Sequence, residues 1–338
     1  MPAHAPYLRS QYPSGSAQLG GQETFIGRAQ RWPPVLDYPT RGSAVQIQHR
    51  KPCGGAQFLV ATIALLALAC PFSLVVAQPI RSIPINMPII SEASAPAGTE
   101  GLAVQWLNVA SPELGELLIA VAHPAGAGPF PSVLLLHGSH GFAQEYVRLA
   151  QDLADGGILA VAACWFRGGG GAGSRFITPI SCPQAPPMPH PSSPDTIRTV
   201  DALMQVTRTL PDVQPEQSGL FGHSRGAGAA LYYLLEKGKV QAVVLNSGGY
   251  PPQLAEVVSQ VKAPILMLHG TADGPEDGGA AVTNITMARE FEAKLRDAGK
   301  LVETAYYEGS RHNEIFTNPA QYRDEVQRIL GFFSRYLH

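Results

Sequence analysis

Five residues, Gly222-His223-Ser224-Arg225-Gly226, constrain the fold of this chain more than any other stretch. They follow a short apolar run, Ser218 to Phe221, and open a helical pattern, Ala227 to Leu235. Strand, Gly-x-Ser-x-Gly, helix is the sequence form of a nucleophile elbow. The serine backbone in such a turn is strained and crowded between strand and helix, so its flanks favour glycine, which has no Cβ to collide. The turn presents the serine hydroxyl at the C-terminal edge of a sheet. It also sets the next N–H, that of Arg225, at a helix N-terminus, where it can stabilise an oxyanion.

An acyl-transfer serine needs a base and a group to orient that base. Downstream, Ala263 to Asp273 (Ala-Pro-Ile-Leu-Met-Leu-His-Gly-Thr-Ala-Asp) reads as a buried strand running into a turn that carries a carboxylate. Glu276 and Asp277 are alternative acids. Val302 to Tyr307 reads as a further strand, followed by Glu308-Gly309-Ser310-Arg311-His312. Only terminal His338 lies beyond His312 as a competing histidine. Each candidate follows a strand, and the loops of an open α/β sheet converge on one crevice. Upstream, Pro131 to Gly141 is an apolar strand ending in His-Gly-Ser-His-Gly. Its loop offers a second oxyanion donor, the backbone N–H of Ser139, with His140 as the off-by-one alternative.

The order Ser224, Asp273, His312, with the elbow and the His-Gly loop, resembles the α/β-hydrolases. Within them it is similar to the dienelactone-hydrolase-like group, near small secreted esterases and cutinase-like polyester hydrolases. The resemblance covers roughly residues 101–338. It implies a mostly parallel central sheet with helices on both faces, and a catalytic set of Ser224, Asp273 and His312 that needs no cofactor. One departure bears on chemistry. Dienelactone hydrolases proper use cysteine as nucleophile, whereas position 224 is serine, which points to ordinary carboxylic ester hydrolysis.

Other conspicuous residues read more plainly. His223 precedes the serine and points away from substrate, so it reads as packing under the elbow. His137 and His269 end strands and read as hydrogen-bonded loop anchors. Arg225 and Arg311 read as solvated or ion-paired. The Gly168 to Gly171 run lacks the Lys-Ser/Thr of a phosphate loop, and no helical pattern follows it. His-Glu-x-x-His, Cys-x-x-Cys and EF-hand patterns are absent, so no metal site is implied. With 24 basic and 26 acidic residues and no basic stripe, nothing favours nucleic acid.

The N-terminal quarter differs in kind. Residues 1–57 are rich in Pro, Gly, Ser, Gln and Arg without periodicity and read as a disordered extension. Residues 58–77 contain no charge, follow Arg50 and Lys51, and end Val-Val-Ala. That pattern describes a secretory signal cleaved after Ala77, giving a secreted or periplasmic chain. An uncleaved membrane anchor is the alternative, and the only membrane association implied. The long leader in front suggests that translation begins near Val45. Residues 78–100 read as a linker and 101–338 as the catalytic domain. After export, Cys53 and Cys70 are removed, leaving Cys164 and Cys182 in an oxidising compartment. A bridge between them would staple the loop after strand 158–166. The alternative is a buried Cys164 beside a free Cys182.

Strands are expected at 104–109, 117–121, 133–136, 158–163, 219–222, 242–245, 265–268 and 303–307. Helices are expected at 143–154, 195–209, 225–235, 254–260, 288–298 and 321–336. Alternating strand and helix imply one mostly parallel sheet. Phe142, Trp165 and Tyr250 fall near strand ends and are candidates to line an acyl pocket, with core packing as the competing reading. The 167–194 loop is too short for a lid domain, which favours small-molecule or exposed polymeric esters. A peptidase, a thioesterase or a catalytically silent binding module on the same fold are the competing functions.

Overall fold

The computed structural model describes residues 87–111, 114–168, 176–275 and 279–338. The 1–57 extension, the 58–77 segment, the start of the 78–100 stretch, Gly169 to Gly171, Glu276 and Asp277 lie outside those residues. Among the described residues no helix is long and apolar enough to cross a membrane.

One sheet organises the described residues. Its strands are β1 (Ile89–Glu92), β2 (Gln105–Ser111), β3 (Gly115–Ala122), β4 (Phe130–Leu136), β5 (Leu159–Ala163), β6 (Val213–His223), β7 (Ala242–Asn246), β8 (Ile265–Gly270) and β9 (Val302–Tyr307). They lie in the order β1-β2-β3-β5-β4-β6-β7-β8-β9. The β1–β2, β2–β3 and β3–β5 pairs are antiparallel, and from β5 to β9 every pair is parallel. The central strands β5, β7 and β8 are buried at every residue, as continuous apolar runs covered on both faces must be.

The principal helices are α1 (Gln144–Asp155), α2 (Pro194–Thr209), α3 (Arg225–Lys237), α4 (Ile285–Asp297), a single turn α5 (Glu314–Thr317) and α6 (Pro319–Tyr336). Strand β6 shows that they cover both faces. A Cβ added at Gly219 would meet Phe333 of α6 and Leu337 just past its end, whereas one at Gly222 would run into the Gly226 carbonyl of α3. Positions 219 and 222 point to opposite sides of a strand, so α6 and α3 lie on opposite faces. The helix starts are specified locally. Ser193 accepts the Thr196 N–H ahead of Pro194, and Asn318 accepts from Ala320 and Gln321 ahead of Pro319. Each such cap contributes about 1 kcal/mol.

The structure departs from the sequence reading in four places. The stretch read as linker contains β1, which pairs with β2 and extends the sheet. The helix expected at 254–260 is instead two short 3₁₀ turns, Pro252–Glu256 and Val258–Gln260. Pro251, Pro252 and three valines leave too short a run to sustain an α-helix. Strand β6 begins at Val213, where Pro215, Glu216 and Gln217 conceal it from an apolar-pattern reading. The α5 turn was not expected. Cys164 and Cys182 are joined by a disulfide, with Cα atoms 6.6 Å apart, tying the end of β5 to the loop before α2.

Candidate active site

Three strand ends bring Ser224, Asp273 and His312 together. Ser224 follows β6 and caps α3 with φ 54° and ψ −115°, a left-handed conformation that a non-glycine residue holds only under constraint. Its N–H donates to the Asn246 carbonyl at 2.9 Å, and its own carbonyl accepts the Gly228 N–H at 3.1 Å. Gly222 and Gly226 make the turn possible. A Cβ at the second would strike the Leu136 carbonyl, just as one at the first would strike Gly226.

His312 Nε2 lies 2.8 Å from Ser224 Oγ, and His312 Nδ1 lies 2.8 Å from Asp273 Oδ2. Both Asp273 and His312 are buried. The remaining carboxylate oxygen, Asp273 Oδ1, accepts from Thr283 Oγ1 at 2.8 Å, a contact with no signal in the linear sequence. His269 Nε2 is 2.6 Å from the Thr283 carbonyl and 3.3 Å from Asp273 Oδ2. It anchors the loop as expected for a strand-end histidine, and it also flanks the carboxylate. An imidazole held between a serine hydroxyl and a buried, hydrogen-bonded carboxylate can take the serine proton and keep one tautomer while doing so.

The oxyanion candidates occupy two facing turns. The first intrahelical rung of α3 is Gly228 N–H to Ser224 O, so the Arg225 N–H precedes the ladder and is free to serve a ligand. Across from it, Gly141 N–H closes a turn on Gly138 O with Ser139 and His140 at the apex. The Arg225 guanidinium is neither simply solvated nor ion-paired. It donates to Ser139 Oγ at 3.0 Å and to the Pro189 carbonyl at 2.7 Å, tying the two turns together.

Burial sets the surrounding histidines. It pushes His137 and His223 down to about 4, with His312 adding to the effect at His223. His223 packs under the elbow, bonded to Asn246 Oδ1 at 2.6 Å. Asn246 Nδ2 in turn donates to Glu325 at 2.5 Å, so β7 and α6 brace the turn through one amide. His137 bonds its own loop at the Gly138 carbonyl.

Of the expected pocket residues, Trp165 packs into the core, whereas Phe142 and Tyr250 are buried yet border cavities. Trp165 is fully buried and donates Nε1–H to the His137 carbonyl. Phe142 packs edge-on against Trp106, and although it borders a cavity of about 390 Å³ with Arg167 and Cys182, it is a core residue. Tyr250 stacks on Phe291 at 4.9 Å and is buried, and both rings border a cavity of about 230 Å³. The half-exposed rings beside the elbow are instead His140, Phe176 and Phe316, with Phe316 5.0 Å from His223. Among the described residues no cluster of His, Cys, Asp and Glu is arranged to hold a metal.

The profile of the dienelactone hydrolase family matches residues 119–337. The chain belongs to the dienelactone hydrolase family. Family membership makes it a hydrolase. Solved structures agree on the fold. A Klebsiella pneumoniae protein assigned as a dienelactone hydrolase is 18% identical with a TM-score of 0.51, covering 74% of this chain and 100% of its own. The Pyrococcus furiosus esterase Pf2001 is 15% identical with a TM-score of 0.53, covering 73% and 99%. The Pyrococcus horikoshii acylaminoacyl peptidase is 17% identical with a TM-score of 0.53, covering 69% of this chain but only 41% of its own length. At these identities the likeness is one of fold alone. No curated protein matches the sequence.

Proposed function

We propose that this member of the dienelactone hydrolase family is a serine hydrolase of carboxylic esters. The observation that carries the reading is the continuous contact from Ser224 Oγ through His312 to Asp273, each step 2.8 Å. His312 removes the Ser224 proton as the oxygen attacks the acyl carbonyl, and Asp273 holds the imidazole with Nδ1 protonated. The N–H groups of Arg225 and Ser139 stabilise the tetrahedral oxyanion. His312 then returns the proton to the leaving alkoxide, and water releases the acyl group by the same route. The Cys164–Cys182 disulfide and the uncharged 58–77 segment support export to an oxidising compartment.

Hydrolysis of p-nitrophenyl esters of increasing acyl length, by the wild type beside Ser224→Ala, tests the reading. The expected result is activity that the substitution abolishes. Equal rates in both proteins would reject the serine mechanism. A folded wild type that cleaves aminoacyl or thioester substrates but no oxygen ester would reject the ester class.

A further inference from the structure

His140 borders Ser224 yet has no part in the proton route described above. A Cβ added at Gly138 would lie 3.0 Å from His140 Cε1, 3.0 Å from His223 Cδ2 and 3.2 Å from Ser224 Cβ, so the two imidazoles and the serine all flank that glycine. The ring is half-buried. Tyr146 stacks on it at 5.6 Å, and Phe176 and Phe316 meet it edge-on at 5.3 and 5.7 Å. His140 Nε2 is 2.8 Å from Tyr146 Oη, and the Gly138 N–H donates to that same oxygen at 2.9 Å.

These two bonds decide the tautomer. Tyr146 is buried, so its hydroxyl proton needs an acceptor. The Gly138 amide is a donor and cannot take it. His140 Nε2 can, provided it carries no proton, which leaves the ring proton on Nδ1. The other tautomer, or an imidazolium, would point a second donor at the phenol oxygen and strand the phenolic proton. Burial, then the nearby His223, His137 and His312, push the His140 pKa down to about 2, so the ring stays neutral. Among the described residues nothing accepts from Nδ1. Nor is Nδ1 one of the enclosed, unpartnered nitrogens, which are His137 Nε2 and His269 Nδ1. Among the described residues it is a donor without a partner, on a half-exposed ring beside the elbow.

We propose that His140 is a further catalytic residue, a neutral imidazole that Tyr146 holds in its Nδ1–H form to donate to the substrate oxygen that gains charge when Ser224 attacks. The inference rests on the serine reading above. Neutrality suits the position, because an imidazolium there would oppose protonation of His312 in the same step. Tyr146 is a positioning residue, acting on substrate only through the tautomer it imposes.

Kinetics and nitrogen NMR together test this. In His140→Ala, kcat is expected to fall about 10- to 100-fold with KM little changed, toward the range seen when one oxyanion donor is lost. His140→Asn, whose side-chain amide nitrogen can stand near the Nδ1 position, is expected to recover much of that loss. In the ¹⁵N-histidine spectrum of the unaltered protein at neutral pH, His140 is expected to show a protonated Nδ1 and a bare Nε2. Tyr146→Phe is expected to shift that tautomer and lower kcat. A protonated Nε2 in the unaltered protein would overturn the proposal without any variant having to fold. So would a folded His140→Ala with kcat within twofold of wild type while Ser224→Ala is inactive. Wild-type activity in Ser224→Ala would overturn the serine reading and this proposal together.

Discussion

Glu325 offers a test of how the elbow is braced. It sits in α6 with 1% exposure, accepting from Asn246 Nδ2 at 2.5 Å and from Gln321 Nε2 at 2.7 Å. Burial, with Asp324 nearby adding repulsion and Arg328 opposing it, pushes its pKa up from 4.5 to about 8. The sign follows for an acid whose native pKa is raised. Between pH 4.5 and 8 the folded protein keeps a proton that the unfolded chain has released, so stability falls as pH rises through that window. One proton changes stability by at most about 1.4 kcal/mol per pH unit. From pH 5 to pH 8 the cost integrates to about 3 kcal/mol, treated as an order of magnitude. Glu325→Gln fills the same space without a charge and removes that term. Urea unfolding of both proteins at pH 5 and pH 8, without reductant, isolates it, because other titrating groups contribute equally to each. The variant is expected to gain on the wild type by on the order of 3 kcal/mol at pH 8 relative to pH 5. A constant offset from an imperfect amide hydrogen bond cancels in that comparison. Parallel stability profiles would refute the reasoning.

Two further perturbations address the site and its frame. Thr283→Val leaves Asp273 Oδ1 without its hydroxyl donor and the Ala280 N–H without an acceptor. About 1–3 kcal/mol of stability should be lost in urea unfolding, together with roughly tenfold in kcat/KM for an ester. Reducing the Cys164–Cys182 bridge opens a loop of sequence separation 18, and the urea stability is expected to drop by about 3 kcal/mol. An unchanged midpoint under reductant would show that the bridge does not constrain the unfolded chain.

The parts of this protein legible in its sequence are those written locally. The strand-to-helix turn around Ser224 carries its own glycines, and the loops after β8 and β9 hold Asp273 and His312, with Glu276 and Asp277 as rival acids in the first. Proximity to a strand end does not reveal which way a side chain points. Trp165 therefore reads as a pocket residue but packs into the core, while Phe142 and Tyr250 are buried yet border cavities. Thr283 reaches Asp273 across ten residues, and Glu325 reaches Asn246 across 79, distances over which no periodic pattern speaks. His140 is visible in the sequence only as an alternative backbone donor, because its tautomer depends on Tyr146, in the first turn of the next helix. Strand β1 was missed for a simpler reason. All four of its residues are exposed at the sheet edge, so it lacks the alternation that marks a half-buried strand.

The most direct test of the central claim is covalent labelling of the full chain with a fluorophosphonate, read by intact mass and peptide mapping. Ser224 is expected to take up one phosphonyl group with loss of esterase activity, and His312→Ala is expected to slow the labelling sharply. Full activity without an adduct, or an adduct on another residue that tracks the loss of activity, would contradict Ser224 as the nucleophile.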